Sequence, residues 1–115
     1  MKLSEIIKKC DLKVETEADN KVFTEKTVSG VYTGDLLSDV IANAKKDNLW
    51  ITIQTHLNII AVATLKELSA IVIVMNKPIS EEVKNKANEE NVILLSTEKN
   101  SYEISGKLYE LGIGR

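Results

Sequence analysis

The chain has 115 residues, of which 43% are hydrophobic and 28% charged, and its formal net charge is −2. This composition is typical of one globular domain, and the lack of a basic block argues against a nucleic-acid partner. Cys10 is the single cysteine, which excludes an intramolecular disulfide and a zinc site built from thiolates.

No apolar run approaches the ~20 residues that span a bilayer, and the residues after Met1 lack the apolar core of a signal peptide. We therefore expect a cytoplasmic protein with no membrane partner. Its length fits a single domain over residues 1–115 with one packed core.

The first thirty residues predict one helix and two strands. Residues 3–10 carry apolar side chains at helical spacing, and residues 12–16 alternate as a short strand does. Residues 18–21 predict a turn, and residues 22–31 are rich in β-branched side chains, which favours a second strand.

A second helix is predicted after the turn Thr33-Gly34-Asp35. Gly34 or Asp35 is the expected N-cap, because a short acceptor there satisfies the first amides of a helix. The apolar stripe of this helix consists of Leu36, Leu37, Val40, Ile41 and Ala44.

The middle of the chain predicts a strand–helix–strand unit. Apolar runs at Trp50–Ile53 and Ala70–Val74 indicate strands, and the segment Leu57–Leu68 between them is an almost wholly apolar helix. Such a helix is too apolar for one exposed face, so we expect it to be buried on two sides.

The last third predicts a helix, a strand and a final helix. Ser80 is placed to cap a helix that Asn91 ends, and Val92–Leu95 reads as a buried strand. Asn100 and Glu103 have the spacing of a capping box for the final helix. Single helices joining the last three strands predict an α/β fold with a mostly parallel sheet that is covered on both faces.

Three loops are expected at the carboxyl ends of these strands, where parallel sheets bind ligands. They are Thr33-Gly34-Asp35, Gln54-Thr55-His56 and Ser96-Thr97. One interpretation is a pocket for a small anion such as a nucleotide, held by hydroxyls, amides and an imidazole. The other is that all of these are ordinary cap and turn residues. The sequence leaves both open.

No local motif predicts catalysis, a metal site or a cofactor. The sequence has no P-loop, no glycine-rich dinucleotide turn and no nucleophile elbow. His56 is the only histidine, and no carboxylate in the pattern is placed to orient it as a base, so a hydrogen-bonding role at a helix start is expected. Cys10 falls on the apolar stripe of the first helix and is expected to be a small buried hydrophobe.

The segments Gly34–Ala44, Trp50–Ala63 and Leu94–Thr97 together resemble stand-alone DRTGG-domain proteins, a family related to the N-terminal domain of HPr kinase/phosphorylase. The resemblance implies a three-layer α/β/α domain that regulates or assembles and does not catalyse. It also implies self-association. The chain departs from the family where Gln54-Thr55-His56 replaces a Gly-Asp-Arg turn and where Met75-Asn76-Lys77 replaces Thr-Gly-Gly.

We therefore expect a non-catalytic regulatory or scaffolding module that forms a homodimer, with a nucleotide or small-anion sensor as the alternative. A helical wheel assigns Leu57, Ile60, Ala61, Leu65 and Leu68 to the sheet, and Ile59, Val62 and Ala63 to the opposite side. The latter three are the expected dimer interface, with burial beneath the N-terminal helix as the competing interpretation. Val62→Glu is expected to give folded monomers and Leu65→Glu to disrupt the fold.

Overall fold

The computed structural model describes residues 1–17 and 25–114, which form one five-stranded sheet and five helices. The strands are β1 (Lys13–Val14), β2 (Gly30–Thr33), β3 (Asn48–Thr52), β4 (Ala70–Ile73) and β5 (Leu94–Ser96). The helices are α1 (Leu3–Lys9), α2 (Leu37–Asn43), α3 (Asn58–Lys66), α4 (Glu81–Glu89) and α5 (Ser101–Glu110).

The sheet order is β1-β5-β4-β3-β2. Strands β2 to β5 are mutually parallel, with Leu49 paired to Ala70 and Ile71 paired to Leu94, and β1 closes one edge by pairing antiparallel to β5. The predicted α/β class and mostly parallel sheet are confirmed. Within the described residues no helix is long and apolar enough to cross a membrane.

Helices cover both faces of the sheet because its central strands are apolar on both faces. Successive strand side chains point to opposite faces, so Leu49 and Ile51 join one core and Trp50 joins the other. The first core packs under α1 and α5, and the second packs under α2, α3 and α4. The three-layer α/β/α arrangement is confirmed.

The connections diverge at one point of the carboxyl edge. The segments that leave β2, β3 and β4 each lead to a helix on the second face, whereas the segment that leaves β5 leads to α5 on the first face. Loops that part in this way leave a crevice at the strand ends, which is where open α/β sheets bind ligands. In this chain the crevice lies between β4 and β5.

Several predicted boundaries differ from the structure. Strand β2 occupies Gly30–Thr33 instead of residues 22–31, and residues 22–24 and the predicted turn at 18–21 lie outside the described residues. The N-cap of α2 is Leu36, without a side-chain cap, because the Asp35 carboxylate bonds to the end of β3 instead. The capping roles of Ser80 and of Asn100 with Glu103 are confirmed.

The predicted orientation of the central helix α3 is correct for Ile60 and Leu68, which are buried, but wrong for Leu65 and for the three residues of the expected dimer interface. Ile59, Val62 and Ala63 are buried in the chain's own second core, whereas Leu65 is 66% exposed. The helix is apolar on nearly every side, so the spacing of its apolar residues did not show which side faces the sheet. Helices α2 and α4 cover its flanks. The competing cover, α1, packs on the other face of the sheet. Ile59, Val62 and Ala63 therefore offer no surface to a second copy.

Candidate functional site

The loops after β2 and β3 are joined by a hydrogen-bond network centred on Asp35. Its carboxylate accepts hydrogen bonds from the Thr52 hydroxyl and the Ile53 amide, both at 2.8 Å. The Gln54 side chain donates to the Asp35 carbonyl at 3.0 Å, and the Trp50 indole donates to the Gly34 carbonyl at 2.8 Å. The polar groups that were predicted to bind a ligand at these loops therefore serve mainly to hold the two loops together.

The other predicted site residues in the loops after β2 and β3 also bond within the chain or are half-buried. The His56 Nδ1 accepts from the Asn58 amide at 3.3 Å, which is the helix-start role expected of it. The Thr33 and Ser105 hydroxyls are 2.8 Å apart, so Thr33 faces α5. Thr55 is half-buried between Gln54 and His56.

The N-termini of α4 and α5 are capped by the chain itself. The Ser80 hydroxyl accepts from the Val83 amide at 3.2 Å. Asn100 and Glu103 exchange reciprocal side-chain to amide hydrogen bonds of 2.8 and 3.2 Å. One N-terminal amide of each helix that could otherwise bind an anion is thus already bonded within the chain.

Ser96 and Thr97 lie apart from the other predicted site residues. Strand β5 is three strand spacings from β2, or about 14 Å. Ser96 and Thr97 border a cleft of about 310 Å³ at the divergence of the connections. Thr33 lines a groove beside α5, and His56 lines a hollow between α3 and α4. The structure therefore divides the predicted residues among separate cavities.

The cleft has three walls, from the α1–β1 turn and from the segments that leave β4 and β5. The Asn76 and Met75 amides donate to the carbonyls of Thr97 at 2.9 Å and Lys99 at 3.0 Å, which fixes the last two walls together. The lining residues are Asp11, Leu12, Lys13, Asn76, Ser96, Thr97, Glu98 and Lys99. Its volume and mixed polar lining are sufficient for a small polar metabolite.

The turn after β4 keeps a geometry that normally calls for glycine. Met75 and Asn76 both have positive φ, at 63° and 51°. This left-handed conformation is strained for residues with a Cβ, although asparagine tolerates it better than most. The segment Met75–Lys77 thus forms a left-handed turn without a glycine.

Glu15 is a partly buried charge beside the cleft that sequence reasoning missed. Its carboxylate accepts from the Ser96 hydroxyl at 2.6 Å and pairs with the ammonium groups of Lys84 at 3.3 Å and Lys13 at 3.6 Å. Burial alone would raise the pKa of Glu15, but the hydrogen bonds from Ser96 and Lys84 and the two lysine charges hold it below its usual value. Ser96 is therefore partly committed to this cluster.

Neither an exposed thiol nor a metal-binding cluster is found in the part of the chain that the structure describes. Cys10 is fully buried, and burial raises the pKa of its thiol despite the charges of Lys107 and Lys99. No group of three or more His, Cys, Asp or Glu side chains is placed to hold a metal among residues 1–17 and 25–114.

The outer face of α5 borders a broad groove of about 960 Å³ that the sequence did not suggest. Tyr102 and Tyr109 are 87% and 64% exposed there, and Gly106 lies between them. Ile104 and Leu108, on the inner face, are fully buried.

Comparison with known proteins agrees with the fold. The family profile of the DRTGG domain matches residues 5–111. A crystal structure of the CBS and DRTGG domains of the regulatory region of Clostridium perfringens pyrophosphatase, complexed with the activator diadenosine tetraphosphate, superposes with a TM-score of 0.70 at 15% identity. The match covers 93% of this chain and 45% of that one, so the chain spans less than half of its neighbour. No curated protein sequence matches the chain.

Proposed function

Because the chain belongs to the DRTGG domain family, we propose that it is a non-catalytic regulatory or scaffolding module that acts as a homodimer in the cytoplasm. The pyrophosphatase neighbour carries its DRTGG domain in a regulatory region, which supports a regulatory role. Neither Cys10 nor His56 supports a catalytic role. The Cys10 thiol is buried, and Nδ1 of the His56 imidazole accepts a hydrogen bond from the Asn58 amide, so neither is an activated nucleophile or base.

The observation that carries the proposal of self-association is the exposure of large side chains on the outer faces of two helices. Leu65 on α3 and Tyr102 and Tyr109 on α5 are each more than half exposed. Leu65 lies on the second face of the sheet and the two tyrosines lie on the first, and tyrosine is one of the residue types enriched where a partner covers a surface. The proposed partner is still a second copy of this chain, but the proposed interface lies at these exposed residues instead of at Ile59, Val62 and Ala63.

The oligomeric state tests this proposal directly. Sedimentation equilibrium across the micromolar range should show a monomer–dimer equilibrium, with dimers dominant at the upper concentrations. A protein that stays monomeric at tens of micromolar would remove the homodimer from the proposal.

The second candidate is a sensor of a nucleotide or other small anion in the cleft between β4 and β5. The neighbour's complex with diadenosine tetraphosphate favours it, and so does the placement of the cleft where the connections diverge. Lys13 and Lys99 would face anionic oxygens, while the side-chain amide of Asn76 and the Thr97 hydroxyl would supply neutral hydrogen bonds. Ser96 and Thr97 belong to the site in this proposal, and Thr33, Gly34, Gln54, Thr55 and His56 lie on the other half of the edge.

A thermal-shift series with adenosine monophosphate and diadenosine tetraphosphate tests the sensor. Ligand at about a hundred times its Kd should stabilise the fold by about 2.7 kcal/mol. Asn76→Ala should abolish that shift, whereas the matched variant Gln54→Ala, on the other half of the edge, should preserve it. A shift that survives Asn76→Ala and is lost in Gln54→Ala would place the ligand at the loops that follow β2 and β3.

A further inference from the structure

The exposed side of α3 carries no charge, which distinguishes it from the other helices that the structure describes. Its exposed side chains are Asn58, Ala61, Thr64 and Leu65. Helices α1, α2, α4 and α5 each expose at least one acidic or basic side chain, and the tyrosines of α5 share their surface with Glu103 and Glu110. Depletion of charge is typical of the centre of a protein–protein interface.

The same side of α3 is apolar and uneven. Leu65 is 66% exposed, and Leu57 lies half-buried about two turns before it. Ala61, between them, has a small side chain, and all three border the hollow between α3 and α4, whose volume is about 660 Å³. The chain thus presents a protruding apolar side chain next to a depression, and one surface supplies both parts of a contact.

We propose that a second copy of this chain packs on α3, with the two helices antiparallel and crossing at Ala61. This inference rests on the proposed homodimer and names its interface. At about 100° per residue, Leu57 and Leu65 lie at equal angles on either side of Ala61 and at equal distances along the helix. A two-fold axis beside Ala61 therefore sets Leu57 of each copy beside the partner's Leu65. The small Ala61 side chains let the two backbones approach.

The level of α4 relative to α3 follows from the sheet. Both helices run in the same direction on the second face, and they end five residues before Ile71 and Leu94, which pair across β4 and β5. Ala61 is therefore about level with Lys84 of α4. The Lys84 ammonium pairs with Glu15 and does not border the hollow. An antiparallel crossing at Ala61 brings α4 of one copy past α4 of the other, centred near this level.

The charges that border the hollow meet no like charge in that arrangement. Lys86 and Glu90 are paired at 3.4 Å within the chain. Lys86 lies just beyond the centre and approaches the partner's Glu82, which lies just before it and is exposed. Glu90 falls opposite the partner's Pro78, which is uncharged. A parallel pair would instead set the like ends of the two α3 dipoles together.

The expected dimer is weak because the uncharged surface is small. A helix of nine residues is about 14 Å long, which limits the contact to the lower range of specific protein–protein interfaces. The two symmetric contacts between Leu57 and Leu65 supply its main apolar area. We expect dissociation in the micromolar range.

Sedimentation equilibrium of the full chain tests the interface. Leu65→Glu should weaken dimerisation roughly tenfold or more, because it places a charge in the contact, and should leave the monomer folded, because Leu65 is exposed. Ala61→Leu should weaken it similarly by separating the helices. Tyr102→Glu, at an exposed position of α5, is the matched control and should leave the dissociation constant unchanged.

Two results of that experiment lead to different conclusions. A dimer that resists both Leu65→Glu and Ala61→Leu would overturn the α3 interface and leave the homodimer itself intact. A monomeric wild type would defeat the proposed function and the interface together.

Oxidative cross-linking tests the antiparallel crossing. Cys10 is buried, so a cysteine introduced on α3 is the accessible thiol of each variant. Ala61→Cys should give a disulfide-linked dimer, and so should a mixture of Leu57→Cys and Leu65→Cys chains. Leu65→Cys alone should not, because antiparallel copies hold these two positions about 12 Å apart along the helices, beyond the reach of a disulfide. Efficient linkage of Leu65→Cys to itself would overturn the antiparallel arrangement.

A charge exchange tests the predicted contact between the two copies of α4. Glu82→Lys should weaken the dimer by opposing the partner's Lys86, and adding Lys86→Glu in the same chain should restore it. Circular dichroism checks that each variant folds, because Lys86 also pairs with Glu90. Failure of the double variant to recover would overturn this pairing of α4.

Discussion

At the scale of single residues, a hydrogen bond of 2.6 Å joins Glu15 to Ser96, which is 81 positions away in sequence. Glu15 carries a side chain only 10% exposed and two lysine partners. We expect Glu15→Gln to lower the free energy of unfolding by about 1–2 kcal/mol near neutral pH, because charge-assisted hydrogen bonds to a partly buried carboxylate are lost. Glu98→Gln, at an exposed position, should change it by less than about 0.5 kcal/mol.

The contribution of Glu15 to the free energy of unfolding should decrease as the pH falls. Its folded pKa lies below the unfolded value, so the carboxylate stabilises the fold fully above the unfolded pKa of about 4.3. That stability is lost as the pH falls through the lower folded pKa. Urea titrations of wild type and Glu15→Gln should therefore converge in acid. A difference that persists unchanged to low pH would assign the effect to packing.

Backbone strain at Met75 gives a second residue-level prediction. A side chain at φ 63° costs about 1 kcal/mol, and Met75 is half exposed, so its side chain contributes little packing. Met75→Gly should stabilise the chain by about 0.5 kcal/mol once the added freedom of the unfolded chain is counted. Lys77→Gly, where φ is not positive, should destabilise it. Chemical denaturation measures both.

At the scale of elements, the sequence predicted strands and helices wherever one interaction dominated. The apolar runs at β3 and β4 could be assigned because both faces of those strands are buried, and the caps at Ser80 and Asn100 depend on residues three positions apart. The buried face of helix α3 could not be predicted in the same way because apolar side chains lie on nearly every side of it. The network at Asp35 and the cluster at Glu15 join distant segments, which local patterns do not encode.

The corrected orientation of α3 reverses two expectations. Val62 is 5% exposed inside the second core, so Val62→Glu should unfold the chain, at a cost above about 3 kcal/mol for an unpaired buried carboxylate. Leu65→Glu changes an exposed position and should leave the melting temperature within a few degrees of wild type. Thermal denaturation followed by circular dichroism decides it. A stable Val62→Glu variant would restore the original assignment of the helix faces.

At the scale of the whole molecule, the two cores share one sheet. Neighbouring residues of a strand enter different cores, as Ile71 and Val72 do on β4, so neither core retains its wall if the sheet opens. A single cooperative unfolding transition follows from this arrangement. The same sharing explains why ligand or partner binding on one face would stabilise groups on the other.

Trp50 offers a probe of that cooperativity because it lies fully buried in the second core. Ile104→Val removes one methylene from the first core, on the other face, and should lower the free energy of unfolding by about 1 kcal/mol. We expect the urea midpoint reported by Trp50 fluorescence to fall by the same amount as the midpoint reported by far-ultraviolet circular dichroism. Exposed Ile41→Val, on the second face itself, is the control and should shift both by much less. If Ile104→Val moved the circular dichroism midpoint while the Trp50 transition stayed in place, the two faces would unfold independently and the sheet would not couple them.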